Sequence, residues 1–162
     1  IAKMKNVLVE GEIGQVLGVE DDINVDKGFQ VKIEDIERFI TLTDIDLLAV
    51  AIGTAHGQYG ANKPNINYEL LGQIANLTKI PFVVHGGSEL SDETLKKLWK
   101  FENVKKINIS TDIKQAYRKG ILESIKQGLL EEKGFDVLRV KKQIYESIKS
   151  ITISKLKVLE EI

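Results

Sequence analysis

The stretch IDLLAVAIGTAHGQYG, residues 45–60, decides the fold. Its first nine residues make an apolar run of strand length, broken only by Asp46 and stopped by Gly53. A run apolar on both alternating faces does not suit a sheet with one side in water. It suits a strand covered on both faces, as in the parallel sheets of α/β proteins. The run leads into His56 and Gly57. A second run, IPFVVHGGSE at residues 80–89, leads in the same way into His85 and Gly86. These are the only two histidines in 162 residues, and both follow a buried-type strand and precede glycine.

Working outward, the same rhythm recurs. NVLVEGEIG (6–14) is a β-rich run ending in acids and glycine, and VKKINIST (104–111) is a fourth strand-like segment. Between the strands lie helical patterns. EDIERFITLTD (34–44) puts Ile36, Phe39, Ile40 and Thr43 on one face, and NYELLGQIANLTK (67–79) does so with Leu70, Leu71, Ile74 and Leu77. SDETLKKLWKFE (91–102) opens with Ser91 as an N-cap and acids in the first turn. A long helix is predicted over 112–133, and one or two more over 135–162. Strand-loop-helix repeated in this way predicts an α/β fold with a parallel sheet, either an α/β barrel or a doubly wound sheet. In both, chemistry gathers where strands run out into their C-terminal loops. His56 and His85 lie there, with Glu10 and Glu12 on the first strand and Asn108, Ser110, Thr111 and Asp112 on the last.

Composition bounds the function. With 43% hydrophobic and 29% charged residues the chain is of globular type rather than disordered. A net charge of −1 with mixed signs gives no basis for bulk binding to nucleic acid or membrane. No apolar stretch reaches the length of a membrane span. The absence of cysteine rules out disulfides and thiolate metal sites, and is compatible with a reducing compartment. The chain opens on Ile1 rather than Met, which is compatible with a trimmed or partial polypeptide.

Each candidate has a plain reading beside the chemical one. A single histidine is most often a hydrogen-bonded core or loop residue. Two at matching strand ends could ligate one zinc, which takes imidazole nitrogen at ~2.0–2.1 Å. HGGS (85–88) reads as a tight turn, or as an anion cradle of backbone N–H groups and the Ser88 hydroxyl. EGE (10–12) reads as a solvated strand end, and NISTD (108–112) as an N-cap and first turn. VEDDINVD (19–26) divides evenly between a solvated acidic loop and a mobile lid carrying a proton-transfer carboxylate.

Taken together, VEGEIG…GVEDD, AVAIGTAHGQYG, PFVVHGGSELSDE and KINISTD resemble the class II, zinc-dependent ketose-bisphosphate aldolases, in one register from about Val7 to Leu122. The resemblance is strongest to the tagatose- and fructose-bisphosphate branches. It implies a (β/α)8 barrel and cleavage of a ketose bisphosphate to dihydroxyacetone phosphate and glyceraldehyde 3-phosphate in the cytoplasm, with Zn2+ as Lewis acid and a monovalent cation as a second ion. By position, His56 and His85 match two of three zinc-ligand histidines. Gly57, Gly86, Gly87, Ser88, Ser110 and Thr111 match substrate-binding positions, chiefly for phosphate. Asn108 matches a catalytic residue at the keto and hydroxyl oxygens, Glu20 the proton-transfer glutamate of a mobile loop, and Glu12 a further active-site acid.

The departures set the remaining expectations. The resemblance calls for an Asp-His pair on an earlier strand, and the chain has none. Glu89 stands where glycine is usual after HGGS, and Leu17 where glycine is usual before the acidic stretch. The chain therefore reads as the C-terminal half of a barrel, about four β/α units, forming a single partial domain over 1–162. Its site motifs lie in 1–133 and a helical tail in 134–162. A non-catalytic fragment, or a phosphosugar-binding module without turnover, is the alternative. An open half-barrel would expose its edge strands and an inner face lined by Val9, Val50, Ile52 and Val84 or their neighbours. That predicts association, either as a homo-oligomer or by completion with an N-terminal half.

Overall fold

The apolar runs at 45–53 and 80–87 form neighbouring parallel strands in the computed structural model, and the rest of the chain is arranged around them. The structure describes residues 1–14, 17–20, 23–25, 31–56 and 64–160; for 17–20, 23–25 and His56 it describes the backbone alone. In chain order, a 3-10 turn at Lys3–Lys5 precedes β1 (Glu10–Ile13), β2 (Leu17–Glu20), β3 (Ile23–Val25) and α1 (Ile33–Leu42). Then come β4 (Leu47–Val50), β5 (Ala55–His56), α2 (Tyr68–Leu77), β6 (Phe82–Val84), α3 (Asp92–Trp99) and β7 (Val104–Ile107). Two long helices follow, α4 (Thr111–Lys126) and α5 (Val137–Glu160). The described residues fall into two compact units, Ile1–Ile109 and Ser110–Ile162.

In the first unit four parallel strands lie in the order β1-β4-β6-β7, each strand but the first reached by a connection containing a helix. This is the α/β architecture expected from the sequence. Register assigns the faces. Glu12 lies opposite Ala49, Ala49 opposite Val83, and Val83 opposite Lys106. Directly opposed residues share a face, so these four side chains stand together, and Glu10 and His85 join them two residues along their own chains. The other face carries Gly11, Leu48, Val50, Phe82 and Val84. It packs on helices: a Cβ at Gly11 would fall 2.7 Å from Ile45 Cγ2 and 3.0 Å from Phe39 Cζ of α1.

That parity corrects one expectation. Val50, Ile52 and Val84, expected to line an open inner face, are at most 3% exposed. A one-residue error in register exchanges the two faces of a strand. The inner face is lined instead by their neighbours Ala49 and Val83, and carries Glu10, Glu12, His85 and Lys106 around them.

The helices follow their signals. Ile36, Leu70, Leu71 and Ile74 are buried as the periodicity requires. Ser91 caps α3, its Oγ accepting from the Thr94 amide at 3.2 Å. Asn67 does the same for α2 through the Leu70 amide at 2.9 Å, and Asp46 accepts from the Val9 amide at 2.8 Å. The acidic stretch at 19–26 departs from the loop expectation. Its described backbone forms β2 and β3, paired antiparallel with Gly18 opposite Val25, Val19 opposite Asn24 and Glu20 opposite Ile23. β2 also pairs in parallel with β5, giving a second, three-stranded sheet in the order β3-β2-β5.

In the second unit α4 and α5 pack along a stripe of small buried residues, Ala116, Gly120 and Ser124. The tail is one helix, with Asp136 accepting from the amides of Leu138 and Arg139 at its start. Asp112 pairs with Lys155 at 3.1 Å, both side chains largely buried. A Cβ on Gly120 would fall 2.5 Å from Ile144 Cα and 2.9 Å from its amide nitrogen. The clash is with backbone, so no rotamer relieves it. Gly120→Ala is expected to lose about 1–3 kcal/mol despite the better helix propensity of alanine. A thermal melt showing equal or greater stability would contradict this close approach of the helices.

Candidate active site

His85 is the first residue beyond β6, on the face that carries Glu10, Glu12 and Lys106. β4 lies between β1 and β6, and there that face bears only the small Ala49 beside Glu12 and Val83. Long side chains from the flanking strands can therefore meet over it. They do: His85 Nε2 lies 2.9 Å from Glu10 Oε1, and His85 Nδ1 lies 3.5 Å from Glu12 Oε1. The other oxygen of Glu10, Oε2, accepts from Lys106 Nζ at 2.6 Å.

The arrangement sets the electrostatics. The Glu12 carboxylate, against the opposing effect of burial and together with Glu10, raises His85 to about 8. Burial alone would raise Glu10, but hydrogen bonds from Lys106 and His85 bring it below the usual carboxylate value. Near neutral pH the imidazolium lies between the two carboxylates, and the lysine caps the far side of Glu10. Below the imidazolium's pKa His85 is locked as a cation; above it one ring nitrogen offers a lone pair.

A metal fits that nitrogen. Bonds of ~2.0–2.1 Å at tetrahedral angles place two ligand atoms about 3.3 Å apart. The 3.5 Å between His85 Nδ1 and Glu12 Oε1 is close to that edge, and a nitrogen–oxygen donor pair suits zinc. Among the described residues no group of three metal-ligating side chains is assembled. The His56 side chain lies outside the description, so the expected convergence of the two rings is open, but its backbone is placed. His56 is in β5, six residues beyond the end of β4, rather than directly at the end of β4. Even so, a Cβ on Gly86 would fall 2.9 Å from the carbonyl carbon of Ala55 and 3.0 Å from its nitrogen. The chain at 55–56 therefore runs against the chain at 85–86. Gly86 has φ 68°, in the region that glycine favours, and both its properties are used.

The remaining sequence candidates divide. Gly87 packs against the end of β7, and its amide donates to the Asn108 carbonyl at 2.9 Å, so that amide is spent on the fold. The Asn108 amide in turn donates to the Val84 carbonyl at 2.8 Å. Ser88 is buried, at 4% exposure. Glu89 adopts φ 58°, the backbone conformation for which glycine would be the easier residue. The helix after HGGS starts at Asp92 with Ser91 as cap, so Ser88 is not at a helix end. Ser110 and Thr111 open α4 in the second unit, where Ser110 makes no side-chain cap bond. Glu20 ends β2, described in backbone only, and Gly57 lies outside the described residues.

Lys106 was not among the residues the sequence singled out, and Glu10 was noted only as a strand-end acid. The signal for Lys106 was its spacing of two from Asn108, which places both on one face. A β-bulge obscures it. Val104 pairs with Phe82 and Lys106 with Val83, so Lys105 is the extra residue and Lys106 is turned to the face opposite Val104.

Comparisons with known proteins give the family and the fold. Across residues 1–162 the chain matches the family described as fructose-bisphosphate aldolase class-II. Among solved structures it is similar to the YdjI aldolase from Escherichia coli K12, with 23% identity and a TM-score of 0.73, covering 98% of this chain and 50% of that one. It is also similar to the fructose-bisphosphate aldolase (Fba) from Campylobacter jejuni, with 22% identity and a TM-score of 0.69, covering 98% and 53%. The chain thus spans about half the length of the structures it matches, and its four parallel strands correspond to half of their TIM barrel. With its whole length matched and its strand order that of a half-barrel, the chain belongs to the class II fructose-bisphosphate aldolase family.

Proposed function

We propose that this chain supplies the C-terminal half of the active site of a zinc-dependent aldolase, within one partial-barrel domain, cleaving a ketose 1,6-bisphosphate to dihydroxyacetone phosphate and glyceraldehyde 3-phosphate. The observation that carries the reading is the 3.5 Å approach of His85 Nδ1 to Glu12 Oε1 on the inner face of the sheet. His85, His56 and Glu12 are the residues that would hold zinc. When bound, zinc supplies a Lewis acid for polarising the substrate ketone without a Schiff-base lysine.

The protein's own residues do the rest. Glu10 and Glu12 flank the imidazole of His85, which increases its donor strength and fixes its orientation. Asn108 follows β7 and would orient the substrate's keto and hydroxyl oxygens. Glu20 would move a proton at the carbon released by bond cleavage. Gly57, Gly86 and Ser88 would seat the phosphate, while Ser110 and Thr111 match phosphate positions by resemblance alone. Gly87 would contribute through its lack of a side chain, since its amide already serves Asn108.

The test uses the native polypeptide. Zinc binding is titrated by competition with a chelating dye, and cleavage of fructose and tagatose 1,6-bisphosphates is followed by a coupled assay. The unmodified protein is expected to bind zinc and cleave one of the two, and His85→Ala to abolish both activities. Ser88→Ala is expected chiefly to raise KM, as loss of a contact made equally in ground and transition states. A native protein that binds dihydroxyacetone phosphate but neither takes up zinc nor turns over would replace this reading with that of a binding module.

A further inference from the structure

We propose that Lys106 is a positioning residue for the metal site: its ammonium anchors the Glu10 carboxylate, which accepts from Nε2–H of His85 and so presents Nδ1 to the metal. The proposal rests on the zinc reading above for its purpose, and on the geometry alone for its existence.

Three observations carry it. The first is the chain of contacts, Lys106 Nζ to Glu10 Oε2 at 2.6 Å and Glu10 Oε1 to His85 Nε2 at 2.9 Å. Each carboxylate oxygen serves one partner, so the lysine fixes the plane in which the other oxygen meets the ring. The second is the choice of nitrogen. A neutral imidazole has one N–H to place, and it faces carboxylates at 2.9 Å on one side and 3.5 Å on the other. By distance the Nε2 contact is the better placed of the two for a hydrogen bond. The proton belongs on Nε2, and the lone pair on Nδ1, the nitrogen with a second metal-type donor nearby. The third is the bulge opposite the Phe82–Val83 step, which turns Lys106 rather than Lys105 to this face. Bulges re-aim side chains beside functional sites. Without Lys106, Glu10 would stand beside Glu12 as an uncompensated anion held by the imidazole alone.

The experiment reads the tautomer directly. The native polypeptide is labelled with 15N-histidine, stripped of metal and held near pH 9, above the His85 value, with its signal assigned by His85→Gln. The unmodified protein is expected to show His85 as the Nε2–H tautomer. Lys106→Met is expected to give mixed tautomers and to weaken zinc binding about 10–100-fold, as removal of outer partners of metal ligands does. Lys106→Arg should retain both properties, because a guanidinium reaches the same carboxylate. Lys105→Met, on the bulge, should match the unmodified protein. Because Lys106 is half exposed, Lys106→Met is expected to melt near the parent temperature. An unchanged His85 tautomer in Lys106→Met overturns the proposal, whether or not zinc affinity falls. Failure of the unmodified protein to bind zinc, with the tautomer shift intact, overturns the aldolase reading and leaves the positioning in place.

Discussion

Gly86→Ala is expected to lose about 2–5 kcal/mol of folding stability and with it the juxtaposition of the two histidine-bearing segments. Two terms add. An L-residue at φ 68° pays for the left-handed region, about 1–2 kcal/mol. The new methyl meets the carbonyl oxygen, carbon and nitrogen of Ala55, the last two at 2.9 and 3.0 Å, and forcing atoms into a packed site costs about 1–3 kcal/mol more. The neighbour is backbone, so the strain is relieved only by moving residues 55–56 away from 85–86. Gly72→Ala is the internal contrast. Gly72 lies within α2, and a Cβ there meets nothing within 4 Å, so alanine should gain roughly 0.5–1 kcal/mol. Denaturant unfolding of the two variants in parallel checks both signs. A Gly86→Ala protein as stable as its parent would mean that β5 does not run against the HGGS turn.

The difference between these glycines shows what the sequence could reveal and what it could not. HGG after an apolar run marked Gly86 either as part of a tight turn or as a place where backbone approaches something closely. What approaches was read as a ligand. The structure shows that Ala55 and Asn108 are approached first, so both glycines also hold the strand ends together. The two central strands, β4 and β6, were legible because burial on both faces leaves an unmistakable apolar run, and the β-rich segments and helical patterns on either side followed from the repeat they set. The pairing of β2 with β3 was not, since short strands rich in acid and asparagine carry the composition of a loop. Face assignment failed at Val50 and Val84 for a related reason. When both faces of a strand are apolar, alternation carries no information, and parity is fixed only by the partner strand. Lys106 was hidden by the bulge at Lys105, a backbone feature with no signature in VKKI. His85 stood out because histidine is rare here, and its carboxylate partners were named as acids at the end of the first strand, Glu12 also by resemblance.

Zinc affinity is expected to rise about 20–30-fold between pH 6.5 and 8.5, while the stability of the metal-free protein falls over the same interval. Both trends come from one nitrogen-bearing ring. His85 is raised to about 8 by Glu12 and Glu10, above its unfolded value. A group raised on folding contributes stability that is full below its unfolded pKa and is lost as pH climbs through its folded one. With its side chain 14% exposed, the imidazolium is worth about 1–2 kcal/mol, lost between about pH 6.5 and 8.5. Glu10 is lowered and has the opposite sign. Its contribution is present above the ordinary carboxylate value and disappears only as pH falls through its folded one, so it does not contribute to the change near neutrality. Metal follows the reverse course, because a ligand must lose its proton to bind, and each pH unit below 8 removes about a tenfold share of competent His85. His85→Gln abolishes the competition at this ring and should make both profiles much shallower, leaving weak zinc binding. Calorimetric zinc titrations and denaturant melts of the stripped protein at matched pH values supply the two curves. Zinc affinity that stays level from pH 6.5 to 8.5 would remove His85 from the metal's ligands, since no ligand held as a cation by two carboxylates could bind zinc without releasing its proton.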